Sequence, residues 1–419
     1  MSSPSIDRSR GMTIGIPAFD RVARRIMLAA ARRIRVGRLT IVLPDGSHEI
    51  VGAADGSGPR AEIRIHDERA VMRMFLGGET GAGEAWMDGS WSSPDLPALL
   101  KLAARNRDAL ALTRGWWRLP LQIPRIVGHR LRRNTVAQAS RNIRRHYDLG
   151  NDFYRLWLDE SMNYSAAWFN GDHALTMPAA QDAKVRRALE MARVQPGQRV
   201  LEIGCGWGAL AEMAVTQFQA NVTGVTLSTE QLAYARQRML DATARTGART
   251  VADLRLQDYR DVQDGPYDAV CSIEMVEAVG QAYWPTYFES VSRLLKPGGR
   301  ACIQSIVIDD ALFDRYIHCT DFIQQYIFPG GCLPSSQRFR EAAARAGLKV
   351  VDELHFGADY AETLRRWRKA FLQRRAEVLR LGFDERFLHI WEFYLGYCEA
   401  AFEMDNIDVV QFTLERTIP

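Results

Sequence analysis

Residues 199–208 read Arg199-Val200-Leu201-Glu202-Ile203-Gly204-Cys205-Gly206-Trp207-Gly208, and this stretch decides the fold. Strand-like residues through Ile203 run into glycines at 204, 206 and 208, and a helix-like segment, residues 209–218, follows at once. The glycines let the backbone turn sharply and leave room for a ligand against the main chain. Strand, glycine turn and helix in that order form the βα unit in which ligands sit beyond the carboxyl ends of parallel strands. Glycine-rich turns are common, so the stretch gains weight only from what surrounds it.

Downstream, strand-like runs at 221–227, 253–256, 268–273 and 300–308 alternate with helical patterns at 228–244 and 284–295. This spacing predicts an α/β fold with a doubly wound, mainly parallel sheet and right-handed crossovers. Residues 312–419 read as helix-rich, with helices at 337–346, 361–380 and 387–402 and a short strand at 348–354 on the sheet edge. Upstream lie a basic amphipathic helix at 17–35, a hairpin at 38–51 turning on Pro44-Asp45-Gly46, and a strand at 61–66. A helix at 68–76, a glycine-rich loop, the segment Gly83 to Met87 and a helix at 94–105 complete a small α+β unit. The expected domains are therefore 1–104, a basic connector 105–145, and 146–419.

A chain of 419 residues with 47% hydrophobic content can bury a sizeable core in two domains. The net charge of +4 is modest, yet Arg105 to Arg145 holds eleven arginines against one acid, Asp108, with Trp116 and Trp117 among them. Arginine interleaved with tryptophan suits an anionic membrane surface as well as a solvated linker, and no nucleic-acid motif accompanies the charge. The six cysteines make no CxxC pair, the histidines are scattered, and no metal-ligand spacing exists, which fits a reducing cytoplasm and no metal site. There is no secretory signal and no apolar run long enough to span a bilayer, so contact with lipid is expected to be peripheral, at the inner face of the membrane.

The end of the second strand, Gly224-Val225-Thr226-Leu227-Ser228, lacks the carboxylate that holds ribose hydroxyls in nicotinamide sites. Gln231, one turn on, can accept the same hydrogen bonds. Asp258-Tyr259 after the third strand suits an adenine, with a carboxylate for the exocyclic amine and a ring for stacking.

Several motifs now carry a resemblance: HYDLGNDFY (146–154), Tyr164-Ser165, LEIGCGWG (201–208), GVTLSTEQ (224–231), LQDYRD (256–261), SIEMVEAVG (272–280), YIFPGGCLPS (326–335) and FGADY (356–360). In this order they resemble the cyclopropane-fatty-acid synthase family and its mycolic-acid methyltransferase relatives. The resemblance implies a class I, Rossmann-like fold and S-adenosylmethionine as co-substrate. It implies methylation of the cis double bond of an unsaturated phospholipid acyl chain, with cyclopropane ring closure preferred over a methylene- or methyl-branched product. A small-molecule N- or O-methyltransferase is the alternative from the same fold. The N-terminal unit resembles the lipid-binding domain of full-length members, and homo-oligomerisation is compatible with the resemblance although no interface is legible. The donor site implied is Tyr164, Ser165, Gly204, Gly206, Gly208, Thr226, Leu227, Gln231, Asp258, Tyr259 and Ile273.

Methylating an alkene leaves a carbocation, so the site must be dry, rich in ring faces such as Tyr164, Trp168, Tyr326 and Phe328, and supplied with a base. In the family that base is a bound bicarbonate held by Glu, His and Tyr side chains and by Cys and Ile main chain. Here the Glu is Glu277, the Tyr is Tyr360 and the Ile is Ile273, but the Cys position is Ala166 and the His position is Gln304. Glu274 stands where the family has glycine. If 274–277 turns helically, Glu274 and Glu277 share a face. A glutamate has the planar two-oxygen shape of bicarbonate, so Glu274 is expected to occupy that position as the base, held by Gln304 and Tyr360.

Overall fold

The computed structural model describes residues 17–53, 58–110 and 149–418. Most of the arginine-rich connector, with Trp116 and Trp117, lies outside the described residues, as do His146 to Asp148.

The N-terminal part comprises α1 (Pro17–Ala31), β1 (Arg38–Val42), β2 (His48–Gly52), β3 (Arg60–Ile65), α2 (Arg69–Met87), β4 (Trp91–Ser92) and α3 (Leu96–Arg105). Its four strands form one sheet in the order β2-β1-β3-β4. The expected hairpin is present, with Val42 opposite His48 and Gly46 at φ 81° in the turn. The expected glycine-rich loop is not: residues 77–83 continue α2, which kinks at Gly78 (φ 59°, ψ −139°). Packing selects the helix over glycine's poor propensity, since Gly81 and Gly83 are small enough for close approach. A Cβ on Gly83 would lie 2.4 Å from Phe322 Cδ2.

The second part begins with α4 (Met177–Met191), capped by the Thr176 side chain. There follow β5 (Arg199–Ile203), α5 (Ala209–Thr216), β6 (Asn221–Thr226), α6 (Thr229–Thr246), β7 (Ala252–Leu256), β8 (Tyr267–Ile273), α7 (Trp284–Leu294) and β9 (Leu295–Ile308). The chain closes with β10 (Leu348–His355), α8 (Gly357–Gln373), α9 (Glu385–Glu403) and β11 (Ile407–Arg416). Seven strands form a mixed, mostly parallel sheet in the order β10-β11-β9-β8-β5-β6-β7. The run 407–416, read from sequence within a helix-rich tail, is instead a strand between β9 and β10, antiparallel to both.

One hydrophobic core joins the two parts, running from Ile41, Trp86 and Trp91 of the first to Phe153, Trp367 and Trp391 of the second. Trp86 Nε1 donates to the His389 carbonyl of α9 at 3.1 Å, and its ring lies 6.3 Å from Phe393. Further cores on the faces of the large sheet hold its strands against the helices.

Candidate active site

An open cleft of about 1200 Å³ follows the glycine turn beyond the ends of β5, β6 and β8. Gly204 and Gly206 hold left-handed φ angles of 82° and 51°. A Cβ at Gly204 would come within 3.0 Å of Met275 Cγ, whereas one at Gly206 would meet nothing within 4 Å. Gly208 does not line the cleft: it starts α5 at φ 84°, and its missing Cβ admits Ala235 of α6, which would sit 3.0 Å away. That is the helix-packing role of a third glycine.

Tyr164, Ser165, Thr226, Leu227, Gln231, Asp258, Tyr259 and Ile273 all line the cleft. The Gln231 oxygen already accepts from Thr226 Oγ1 at 3.1 Å, which leaves one lone pair and the amide hydrogens for a ligand. Asp258 is likewise partly committed, accepting from Arg260 Nε at 2.8 Å and Nη2 at 2.6 Å.

Glu202 also lines this cleft, although it was not among the expected site residues. It is buried, its Oε2 has no hydrogen-bond partner, and burial pushes its pKa up to about 8. An orphaned buried carboxylate oxygen beside a glycine turn fits a ligand that brings N–H donors. The residues therefore fit an amino-acid-bearing adenosine donor.

Glu274 ends β8 at φ 49°, in the left-handed region where a side chain costs of order 1–3 kcal/mol and glycine costs little. The residue is half-buried, and three donors hold its carboxylate, leaving one acceptor site on Oε2. Oε1 accepts from the Ala166 backbone N at 2.8 Å and from Gln304 Nε2 at 2.7 Å, and Oε2 accepts from the Tyr360 hydroxyl at 2.7 Å. The expected helical turn through 274–277 does not form. The left-handed residue breaks it, and the only helical turn there is Val276–Ala278. Glu277 points elsewhere and accepts from the Ile306 backbone N, with Oε2 unpartnered. Three donors expected to surround a bicarbonate thus converge on Glu274, while Glu277 lies behind it, outside the cleft lining.

Burial raises the pKa of both carboxyls. At Glu274 the rise is opposed by the Ala166 N–H, the buried Lys184 charge, Tyr360 and Gln304. At Glu277 repulsion from Glu274 adds to burial and takes the value to about 8. Glu274, the one of the two that lines the cleft, is therefore the candidate proton acceptor.

Sequence reasoning missed Lys184. It is wholly buried on α4 and donates to Ser165 Oγ at 2.5 Å, with its pKa lowered to about 8 by burial. A signal existed, since Lys184 shares the four-residue spacing of Ala180 and Ala188, the buried face of α4. Also missed was the aromatic layer supplied by the C-terminal helices. Tyr164 lies 5.5 Å from Trp367, and its hydroxyl is 2.8 Å from that of Tyr394. Of the rings singled out from sequence, Tyr326 instead donates to Glu84 of α2 at 3.0 Å.

The sheet order, the glycine turn and the cleft define a class I S-adenosylmethionine-dependent methyltransferase. Residues 134–412 match the mycolic acid cyclopropane synthetase family, and the chain belongs to that family. It is 42% identical to the tuberculostearic acid methyltransferase of Mycobacterium tuberculosis, over 96% of both chains. It is 34% identical to the cyclopropane-fatty-acyl-phospholipid synthase of Escherichia coli K12, over 87% of this chain and 90% of that one. Among solved structures, a mycolic acid cyclopropane synthase complexed with SAH and CTAB superposes with a TM-score of 0.61 at 32% identity, covering 66% of this chain and 98% of the other.

Proposed function

We propose that this methyltransferase methylates the cis double bond of an unsaturated phospholipid acyl chain, with Glu274 as the base that ends the reaction. The observation carrying this reading is the Glu274 carboxylate, which lines the donor cleft and is held by Ala166, Gln304 and Tyr360. S-adenosylmethionine supplies an electrophilic methyl group. The alkene π electrons form the new carbon–carbon bond and leave positive charge on the neighbouring carbon. The rings of Tyr164, Tyr360 and Trp367 exclude water and offer their faces to that charge. Glu274 then accepts one proton. Bicarbonate is not needed in this reading, because Glu274 occupies the donors that it would use.

The fate of the cation sets the product. If the C–H electrons of the transferred methyl close onto it as Glu274 takes the proton, a cyclopropane forms. If a hydride first shifts from the methyl-bearing carbon, charge moves to that tertiary carbon, and the same proton loss gives a methylene branch, a 1,1-disubstituted alkene. A saturated methyl branch needs a further hydride donor. The branched outcome is favoured here over ring closure, because the relative matched at 42% identity over 96% of its length is named for methyl transfer. The ring is the second reading, supported by the match at 34%. Incubation with S-adenosylmethionine and dioleoyl phospholipid vesicles, then proton NMR of the extracted lipid, tests both. Terminal methylene signals of a 1,1-disubstituted alkene support the branch, and high-field cyclopropane signals support the ring. Absence of any lipid methylation overturns the proposal.

No described helix is long and apolar enough to cross a membrane. Peripheral attachment through basic residues is supported by exposed Arg25, Arg32, Arg33 and Arg35, on and just beyond α1.

A further inference from the structure

Gln304, the residue that hydrogen-bonds Glu274, is itself held from behind. Gln304 on β9 and Gln411 on β11 are direct cross-strand partners, and both are fully buried. Gln411 Nε2 donates to Gln304 Oε1 at 3.0 Å and to the Lys184 carbonyl at 3.1 Å. Gln411 Oε1 accepts from Arg187 Nη1 at 2.8 Å, and Arg187 Nη2 donates to Asp352 at 2.6 Å. Arg187 stands one turn beyond Lys184 on α4, and its partner Asp352 on β10 is 38% exposed. A continuous chain of hydrogen bonds therefore runs from the protein edge, across β10, β11 and β9, to the carboxylate in the cleft.

The direction of this chain is fixed by chemistry. An amide can present either end, but a guanidinium only donates and a backbone carbonyl only accepts. Arg187 therefore forces the Gln411 oxygen toward itself, and the Lys184 carbonyl forces the Gln411 nitrogen inward. That nitrogen can meet only the oxygen of Gln304, so Gln304 must offer its NH2 to Glu274. We propose that Gln411 and Arg187 are positioning residues that set the polarity of this relay and so keep a donor aimed at the Glu274 carboxylate. The role rests on the reading of Glu274 as the base, because a fixed donor there favours the ionised, proton-accepting form. Without the relay, Gln304 can turn its oxygen toward Glu274, which only a protonated carboxyl tolerates. The other charged or titratable groups facing Glu274 are Lys184 from α4, Tyr360 from α8, Tyr394 from α9 and Glu277. Of these, only Lys184 is touched by a change at Gln411, through its backbone carbonyl and not its ammonium, which is held by Ser165.

The test uses Gln411→Leu, the isosteric Gln411→Glu, Arg187→Met and Arg187→Lys, with Glu274→Gln as reference. The first readout is S-adenosylhomocysteine release on dioleoyl phosphatidylglycerol vesicles across pH. The second needs no activity: the thermal-midpoint difference between each protein and its Glu274→Gln double variant, followed across pH, reports the ionisation of Glu274. In Gln411→Leu, kcat near pH 7 should fall at least fivefold with KM for S-adenosylmethionine unchanged. The acidic limb and the stability titration should both move up by about one pH unit, the scale of one lost charge-assisted hydrogen bond.

Gln411→Glu keeps the volume but accepts from Gln304 and so reverses the relay, and it should be at least as impaired. Arg187→Met should shift both readouts less, in the same direction, and Arg187→Lys should recover part of the loss. If Gln411→Leu does not fold, Arg187→Met carries the test at the partly exposed end. Unchanged pH behaviour in Gln411→Leu and Gln411→Glu, or in Arg187→Met where only it folds, overturns the relay even if Glu274→Gln is inactive. A fully active Glu274→Gln with shifted titrations overturns the base and leaves the relay standing.

Discussion

Glu274 and Gln304 grip each other twice. The Glu274 backbone N donates to the Gln304 carbonyl at 2.8 Å, and Gln304 Nε2 donates to Glu274 Oε1 at 2.7 Å. The main-chain bond extends the β8–β9 pairing one step past Ile273. The side-chain bond holds the carboxylate while the left-handed backbone turns the chain away. A residue in a conformation that favours glycine persists only where its surroundings over-determine it, and here they do so at a carboxylate that lines the donor cleft.

Removing that carboxylate separates chemistry from binding. Glu274→Gln keeps the shape but cannot accept the proton, so lipid methylation should fall by about 10²–10⁴-fold. Affinity for S-adenosylhomocysteine, measured by calorimetry, should stay within about twofold, since one positioned contact outside the glycine turn is altered but not lost. Wild-type turnover in this variant would remove Glu274 from the reaction.

Glu274→Gly asks a different question of the same place. Glycine accepts φ 49° without strain and leaves Ala166 N, Gln304 and Tyr360 without their shared acceptor. Added bicarbonate should bind those donors and restore part of the activity, in a saturable way. Rescue by bicarbonate but not by chloride at equal ionic strength is the expected result.

The catalytic core was legible because its signals are local. The alternation of β5 to β8 with helices and the glycine turn needed only neighbouring residues, and Glu274 was conspicuous as an acid in a glycine's place. That no helical turn runs through 274–277 was not foreseeable, since it follows from the left-handed backbone of Glu274. Nor was the relay, because Gln304 and Gln411 meet only once β11 is inserted between β9 and β10. The run 407–416 alternates too little to be read as a strand, being buried on both faces through most of its length. Glu202 was hidden for the same reason, its burial being a property of the assembled sheet.

Buried acids also make stability depend on pH. Burial raises Glu202 and Glu277 to about 8 from 4.5, so the folded state holds protons that the unfolded chain has released. Their contribution is fully present below the unfolded value and is lost as pH rises through the folded one, so stability should fall between about pH 5 and 8. Lys184, lowered from 10.5 to about 8, acts above this window. Thermal midpoints at pH 5.5, 6.5 and 7.5 should decline in the wild type, and Glu277→Gln should flatten part of the decline.

The glycine turn makes a graded prediction. Gly204 and Gly206 both have positive φ, yet only Gly204 is crowded, by Met275. An alanine at either site pays about 1–2 kcal/mol for the left-handed conformation. At 204 the added methyl must also displace Met275, which lines the same cleft. Calorimetry should therefore show Gly204→Ala weakening S-adenosylhomocysteine at least tenfold and more than Gly206→Ala. Equal losses would mean that backbone strain alone matters.

The junction between the two parts of the chain can be tested at Gly83. This residue lies on α2 against the ring of Phe322, whose neighbour Tyr326 donates to Glu84. Phe322 is fully buried and packs at a tilt against Phe393 of α9, with ring centroids 4.6 Å apart, so it cannot yield without moving the core that the two parts share. A Cβ at 2.4 Å must push α2 outward, and overpacking of this kind costs typically 1–3 kcal/mol. Gly83→Ala should lower the thermal midpoint by several degrees and break the Tyr326–Glu84 bond. Because Tyr326 opens the segment that leads to Cys332, whose backbone N donates to the Glu277 carbonyl at 2.8 Å, the strain has a route to the carboxylates. Methylation of vesicle lipid should then fall more than S-adenosylhomocysteine affinity. A drop in midpoint with no change in lipid turnover would show that α2 stabilises the catalytic part without tuning it.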